Sequence, residues 1–382
     1  RPPDEAQRAR GLAGARGSQP ASTARPMTDH PDDDGSTTEP QNGHGQDPFG
    51  THLDLGWDLL EKGDLDGAER AATEADAIEP DSAEVPTLRG AIAAARDDDE
   101  GALAAFETAM ERDPDYIDPY LHAADLYLYK LDDPEEAARL CEEALAVAEE
   151  EDEYLDALLL KAEAELTAGA EKEARATLQE LPPTELATPE LEFRAGRQLL
   201  DLGELDAAEA RLARVTASAP DATDAVHALG LVAEERGDVK KMVQHFLKVR
   251  EADLKEPPPP WGVTRERFEQ LAEEALADLP ERIRELIANV PVLAADYPAI
   301  ELVAEGNDPR MMGFFSGVPW PEKSTAVGDV PHLDCVFLYQ RNIERMCRTA
   351  AEVEDEIRKT LLHETGHFFG LSEDELTAMG LG

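Results

Sequence analysis

The 382-residue chain is poor in cysteine, having only Cys141, Cys335 and Cys347. Their number is odd, their spacing wide, and none sits in a CxxC pair. This pattern excludes a disulfide framework and a thiolate zinc site, and it fits a reducing compartment, so a cytoplasmic location is expected. Positive charge is also scarce: 36 Lys and Arg stand against 84 Asp and Glu, for a formal net charge of −48. A surface so acidic repels phosphate backbones and anionic lipid, which argues against nucleic-acid and membrane binding; solvation is its simplest purpose. No apolar run approaches the ~18 residues of a membrane-spanning helix, and no signal-peptide core is visible. Met27 reads as a natural start, with residues 1–26 as an extension.

Residues 1–48 are rich in Pro, Gly, Ser, Thr and Asp. Such a segment buries too little apolar surface to offset its conformational entropy and is expected to be disordered. Order of a different kind starts at about residue 49. Gly56, Ala68, Ala72, Ala75 and Pro80 are followed 34 residues later by Gly90, Ala102, Phe106, Ala109 and Pro114. Ala124, Tyr127, Ala137, Cys141 and Ala144 make a third unit, with one residue inserted near Asp132-Asp133. Ala162, Ala174 and Leu178 mark a fourth, and Gly196, Ala208, Leu212, Val215 and Pro220 a fifth. Gly230, Met242, Phe246 and Val249 mark a sixth.

This spacing resembles that of the tetratricopeptide repeat, whose small residues lie where two antiparallel helices approach closely and whose proline ends the second helix. The resemblance covers residues 49–255 in about six units. It implies an all-α solenoid whose concave face binds a protein or peptide, the alternative being a scaffold for the C-terminal domain. Pro257-Pro258-Pro259-Pro260 reads as a stiff spacer over residues 256–260, joining two separable domains.

Residues 261–382 read as a small α+β domain. Phe268, Leu271, Ala272, Ala275 and Leu276 share one face of a helix from Thr264 to about Ala277, stopped at Leu279-Pro280. A short helix over 281–288 and strands at 290–294, 313–317 and 334–340 come next, the last around Val336-Phe337-Leu338-Tyr339. Thr349-Ala350-Ala351-Glu352 is a capping box opening a long final helix. Val353, Ile357, Leu361 and Leu362 give that helix a buried face, and Gly370 suits its left-handed end.

That helix carries His363-Glu364-Thr365-Gly366-His367. Histidines four apart lie one turn apart on one face, where both imidazoles reach one tetrahedral metal. Glu364 is placed to take a proton from water acidified by that metal, the chemistry of HExxH zinc peptidases. The apolar flanks Leu361-Leu362 and Phe368-Phe369 bury the helix, so its polar side chains need partners, and a metal provides them.

A third protein ligand is still needed. Gly370 followed by Glu373 is similar to the metzincin arrangement, in which a glycine turns the chain so that the residue three further on reaches the metal. Metzincins use His or sometimes Asp there, so Glu373 is a departure. Asp374, Glu375, His332 and Asp334 remain alternatives, although Ser372 to Glu375 is itself a capping box that gives Glu375 a structural role. Met379 stands where a metzincin turn methionine would, but at short spacing, and is expected to pack beneath the helix.

The whole segment resembles a bacterial family of minimal zincins, small zinc metallopeptidases. The likeness lies in the helix ending at Leu279-Pro280, the three strands, and the stretch from His363 to Glu373. It implies a compact α+β domain with Zn2+ at the final helix. The expected site is then His363 and His367 with Glu373 as the leading third ligand, and Glu364 as general base if the domain hydrolyses a peptide substrate. In zincins an edge strand aligns the substrate, and Val336–Tyr339 is expected to be that strand. The competing expectation is an adaptor protein with an inert or structural metal site. A further idea is that the array holds the peptidase inactive until a partner binds.

Overall fold

The computed structural model describes residues 47–279, 281–317 and 334–378. The segment 1–46, His332 and Met379 lie outside the described residues, as do the side chains of Glu373 and Asp374. Eighteen helices and three strands are described. They form two compact units, divided between Ala187 and Thr188.

The first unit holds four helix pairs: α1 (Pro48–Glu61) with α2 (Leu65–Ile78), α3 (Glu84–Ala95) with α4 (Asp99–Arg112), α5 (Asp118–Tyr129) with α6 (Pro134–Val147), and α7 (Glu151–Thr167) with α8 (Glu171–Leu178). Helix α1 begins inside the stretch expected to be disordered, because Asp47 caps the Phe49 amide at 3.1 Å and Pro48 suits the first helical position. The second helix of each of the first three pairs is entered through an aspartate cap. Asp64 accepts from the Gly67 amide and Asp98 from the Gly101 amide, at 2.9 and 3.0 Å.

The repeat spacing has a direct packing cause. A Cβ on Gly90 would stand 2.4 Å from Phe106 Cε1, so the glycine makes room for the ring of its own pair. Phe106, Ala109, Ala124, Leu140 and Cys141 are buried in the core this stacking creates. No helix among the described residues is long and apolar enough to cross a membrane. All three cysteines are buried, and none is in a disulfide.

The second unit begins with two more pairs of the same kind, α9 (Pro189–Asp201) with α10 (Leu205–Ser218), and α11 (Thr223–Glu235) with α12 (Val239–Asp253). Gly196 faces Leu212 and Gly230 faces Phe246, each sixteen residues apart as in the Gly90–Phe106 pair. The unit then runs through the proline spacer without a break. Trp261 Nε1 donates to the Glu344 carbonyl at 2.9 Å, and the Val263 amide donates to Glu344 Oε1 at 3.0 Å, fastening the exit of the spacer.

The α+β part comprises α13 (Arg265–Asp278), α14 (Glu281–Ile287), β1 (Val292–Ala295), α15 (Ile300–Ala304), β2 (Gly313–Ser316), β3 (Cys335–Tyr339), α16 (Gln340–Arg345), α17 (Ala350–Phe368) and α18 (Glu373–Ala378). Helices α15 and α16, of five and six residues, carry no sequence pattern that announces them. The strand order is β1-β3-β2, with β1 parallel and β2 antiparallel to β3. Strand β3 is therefore central. This corrects the expectation that Val336–Tyr339 is a substrate-aligning edge: both its sides are already hydrogen-bonded. Phe268, Leu271, Val336, Leu338, Ile357 and Leu361 form the core between the sheet, α13 and α17.

Candidate metal centre

Helix α17 positions the motif. Thr349 caps its start, accepting from the Glu352 amide at 3.2 Å, while Glu352 accepts from the Arg348 amide at 2.7 Å. Val353, Ile357 and Leu361 hold its inner face. Its end is a Schellman turn: Gly370 has φ +82°, the Leu371 amide donates to the Gly366 carbonyl at 3.1 Å, and the Gly370 amide donates to the His367 carbonyl at 2.9 Å. This turn reverses the chain so that α18 returns over α17, and Leu376 is fully buried against Gly366.

His363 and His367 come together as their spacing predicts. Their Nε2 atoms stand 3.0 Å apart, with the rings nearly perpendicular at 80°. His367 Nδ1 lies 3.2 Å from the Leu371 carbonyl oxygen. A carbonyl only accepts, so a proton on Nδ1 would satisfy this contact and turn Nε2 into the donor atom for a metal, an arrangement common to metal-binding imidazoles. Two nitrogens on one tetrahedral zinc, each at about 2.0–2.1 Å, would stand about 3.3 Å apart. The pair fits a metal with a small adjustment, and both rings are partly exposed.

Glu364, the residue that follows His363, is buried. Its Cγ and Oε1 lie against Gly313, where a Cβ would come within 2.7 and 2.8 Å of them. Only a glycine at the start of β2 admits the carboxylate there. Tyr339, buried at the end of β3, is pushed up to about 12 by burial and then by the Glu364 carboxylate, so its phenol stays protonated. Thr360, one turn before Glu364, has a buried Oγ1 with no hydrogen-bond partner among the described residues and presses its methyl toward Gly313. Sequence reasoning does not reach Gly313, Tyr339 or Thr360 as parts of the site, because their proximity depends on the order of strands.

Among the described residues no set of three His, Cys, Asp or Glu side chains converges to hold a metal. The backbone of Glu373 opens α18 just past the Schellman turn. Glu375 is engaged elsewhere: its Oε2 accepts from the Ser372 amide at 2.8 Å and from the Ser372 hydroxyl at 3.1 Å, as the capping box predicts. Those bonds, the amide first, hold its carboxyl below the usual range. Asp334 lies beside Gly317 at the far end of β2, where a Cβ on that glycine would meet its carboxylate.

A family model described as zincin-like metallopeptidase matches residues 287–382. A model described as tetratricopeptide repeat matches residues 53–117, 124–185 and 193–254. No curated protein matches the chain. Among solved structures, the type IV pilus biogenesis factor PilW is 16% identical with a TM-score of 0.45, covering 56% of this chain and 96% of that one. YrrB, described as a repeat protein with an unusual peptide-binding site, is 23% identical with a TM-score of 0.39, covering 49% and 94%. PilF of Pseudomonas aeruginosa is 14% identical with a TM-score of 0.45, covering 55% and 93%.

Proposed function

This chain is a tetratricopeptide-repeat array ending in a zincin-like metallopeptidase domain, and on that premise we propose that it is a zinc-dependent peptide hydrolase whose array engages a protein or peptide segment. The observation that carries the reading is the meeting of His363 and His367 at Nε2, 3.0 Å apart, with a buried Glu364 between them in sequence.

His363, His367 and Glu373 would hold the ion. When bound, zinc supplies Lewis acidity that polarises a carbonyl and acidifies water. Glu364 accepts the water's proton at its carboxylate and returns it to the leaving amine. Gly313 leaves the room that this carboxylate occupies, since a Cβ there would come within 2.8 Å of Glu364 Oε1. Tyr339, kept protonated by burial and by Glu364, is a neutral donor beside it. The edge strand β2, paired on one side with β3 and with no second partner among the described residues, takes the aligning role in place of β3. An extended peptide would pair with its open backbone edge. Residues 49–255 would choose or recruit that substrate, and the chemistry would reside in 261–382.

The test is the zinc content of the purified full-length protein beside His367→Ala and Glu364→Gln variants. One zinc per chain is expected in the wild type and in Glu364→Gln, and none in His367→Ala. Hydrolysis of a peptide library should be lost in both variants. Full hydrolysis by a zinc-loaded Glu364→Gln protein would sink the mechanism and leave an adaptor with a structural metal site.

A further inference from the structure

Asp253, the last residue of α12, is a fully buried carboxylate. Two arginines from the α+β part satisfy it. Arg310 donates through Nε and Nη2 at 3.0 and 3.1 Å, and Arg345 through Nη2 at 3.0 Å. Arg310 also reaches Asp224 on α11 at 2.6 Å. Two residues earlier, the Asp308 carboxylate meets His227 Nε2 of α11 at 2.9 Å. Around these pairs the Tyr297 hydroxyl donates to the Asp253 carbonyl at 2.7 Å, and Val303 of α15 is buried against Met242 and Phe246. The sixth helix pair thus grips residues 297–310 by charge and by apolar contact together.

The gripped segment leads straight into the candidate site. Gly313, which lies against Glu364, is three residues after Arg310, at most about 11 Å of chain. Between them, Asn342 Nδ2 donates to the Pro309 and Met311 carbonyls at 2.8 and 2.7 Å, and the Tyr339 amide donates to the Met312 carbonyl at 2.8 Å. Arg345 closes α16, the helix that continues directly from β3. One buried carboxylate of the array therefore anchors both the approach to β2 and the exit from β3, the strands that carry Gly313 and Tyr339.

A carboxylate this deep is costly unless paired, and removing one partner leaves an uncompensated charge. It is a rigid anchor with discrete arrangements, because its two arginines are either both in place or one is left unpaired. We propose that Asp253 and Arg310 are positioning residues for the metal site: the sixth repeat sets β2 against Glu364, and the array is part of the machinery rather than a tether. The purpose assigned to this device rests on the hydrolase reading, whereas its physical content does not.

The experiment is amide hydrogen exchange on the full chain, wild type against Asp253→Asn, Arg310→Lys, Asp224→Asn and Glu256→Gln. The isosteric Asp253→Asn removes the charge, and exchange at residues 311–316 and 361–367 is expected to rise by about tenfold or more, as local opening replaces protection. Arg310→Lys, which keeps charge but loses the fork, should be intermediate. Glu256→Gln removes only the half-exposed carboxylate that shares Arg345 Nη2 with Asp253, leaves the Asp253 contacts in place, and should leave these segments unchanged. Residues 189–201 and 292–295 should exchange as in the wild type in every variant. Zinc affinity should fall in step with exchange at 311–316. The proposal is overturned if 311–316 is unmoved in a folded Asp253→Asn protein, or if 189–201 and 292–295 loosen equally, which would mark a general staple. Should Asp253→Asn not fold, the milder Asp224→Asn and Arg310→Lys carry the same comparison, with the same two outcomes. Exchange is read without metal, so a chain that binds no zinc still decides the matter.

Discussion

Gly366 lies directly beneath Leu376: a Cβ at residue 366 would come within 2.3 Å of Leu376 Cδ2. Leu376 is fully buried there, so its side chain has no free space to swing into. The central glycine of the motif is thus the seat for the helix that returns past the two histidines.

Gly366→Ala is expected to lift α18 from α17. Overpacking of this kind costs about 1–3 kcal/mol, and here it falls on the elements that carry Glu373. Zinc affinity should drop more than thermal stability does, measured by competition with a chelator beside a melting curve. Equal zinc affinity in the variant would separate α18 from the site.

The turns between the helices of a pair offer a stabilising change. Gly63, Gly203 and Gly237 all sit at φ between +70° and +75°, while the equivalent Asp97 and Asp132 hold φ of +61° and +55°. An L-residue with a side chain is strained on that backbone, while glycine also loses entropy on folding. Asp132→Gly should therefore raise stability by about 0.5–1 kcal/mol. Asp97→Gly should gain less, because Asp97 also pairs with Lys130 at 2.9 Å. Melting temperatures of the two variants test the order.

Acid should loosen the grip of the sixth pair. Burial alone would raise the carboxyls of Asp308 and Asp224. His227 beside the first and Arg310 beside the second overcome it and hold both below the ordinary value of 3.8. A carboxyl lowered in the folded state stabilises fully above its unfolded value and loses that contribution as pH falls through the folded one. Exchange at residues 308–312 should accordingly rise below about pH 4, and it should depend less on pH in Asp308→Asn. The effect from Asp224 is small, since its side chain is 64% exposed.

The three thiols should be silent in the native protein. Cys141, Cys335 and Cys347 are all buried, and burial, reinforced by neighbouring carboxylates, pushes the Cys347 thiol up to about 12. A chromogenic thiol reagent should label none of them quickly at neutral pH and all three once the chain is unfolded. Rapid labelling of a native thiol would contradict the packing around it.

Much of this architecture is legible in the chain because its causes are local. Gly90 and Phe106, or Gly230 and Phe246, recur sixteen apart since each pair is one crossing of two adjacent helices. Thr349 and Gly370 mark the ends of α17 by capping chemistry that depends on a few neighbours. The strand order is not legible in the same way, since nothing in Val336-Phe337-Leu338-Tyr339 states how many strands flank it. Its near-continuous burial, which is what a central strand shows, is the one available signal. Helices α15 and α16 are too short to display a period. The grip of Asp253 on Arg310 spans 57 residues, and an aspartate in Glu251-Ala252-Asp253-Leu254-Lys255 looks like any solvated helix end until its partners arrive.

The Schellman turn at Gly370 ties a chain reversal to a protonation state. The carbonyl that meets His367 Nδ1 belongs to Leu371, and it is delivered there because residue 370 adopts a backbone angle that side chains resist. If His363 and His367 hold a metal, a random screen for its loss would therefore return position 370 beside them, although it contributes no donor atom. His367 would remain in place with its ring free to turn and its proton free to move to the wrong nitrogen. Helix termination and imidazole tautomerism are, in this protein, a single heritable trait.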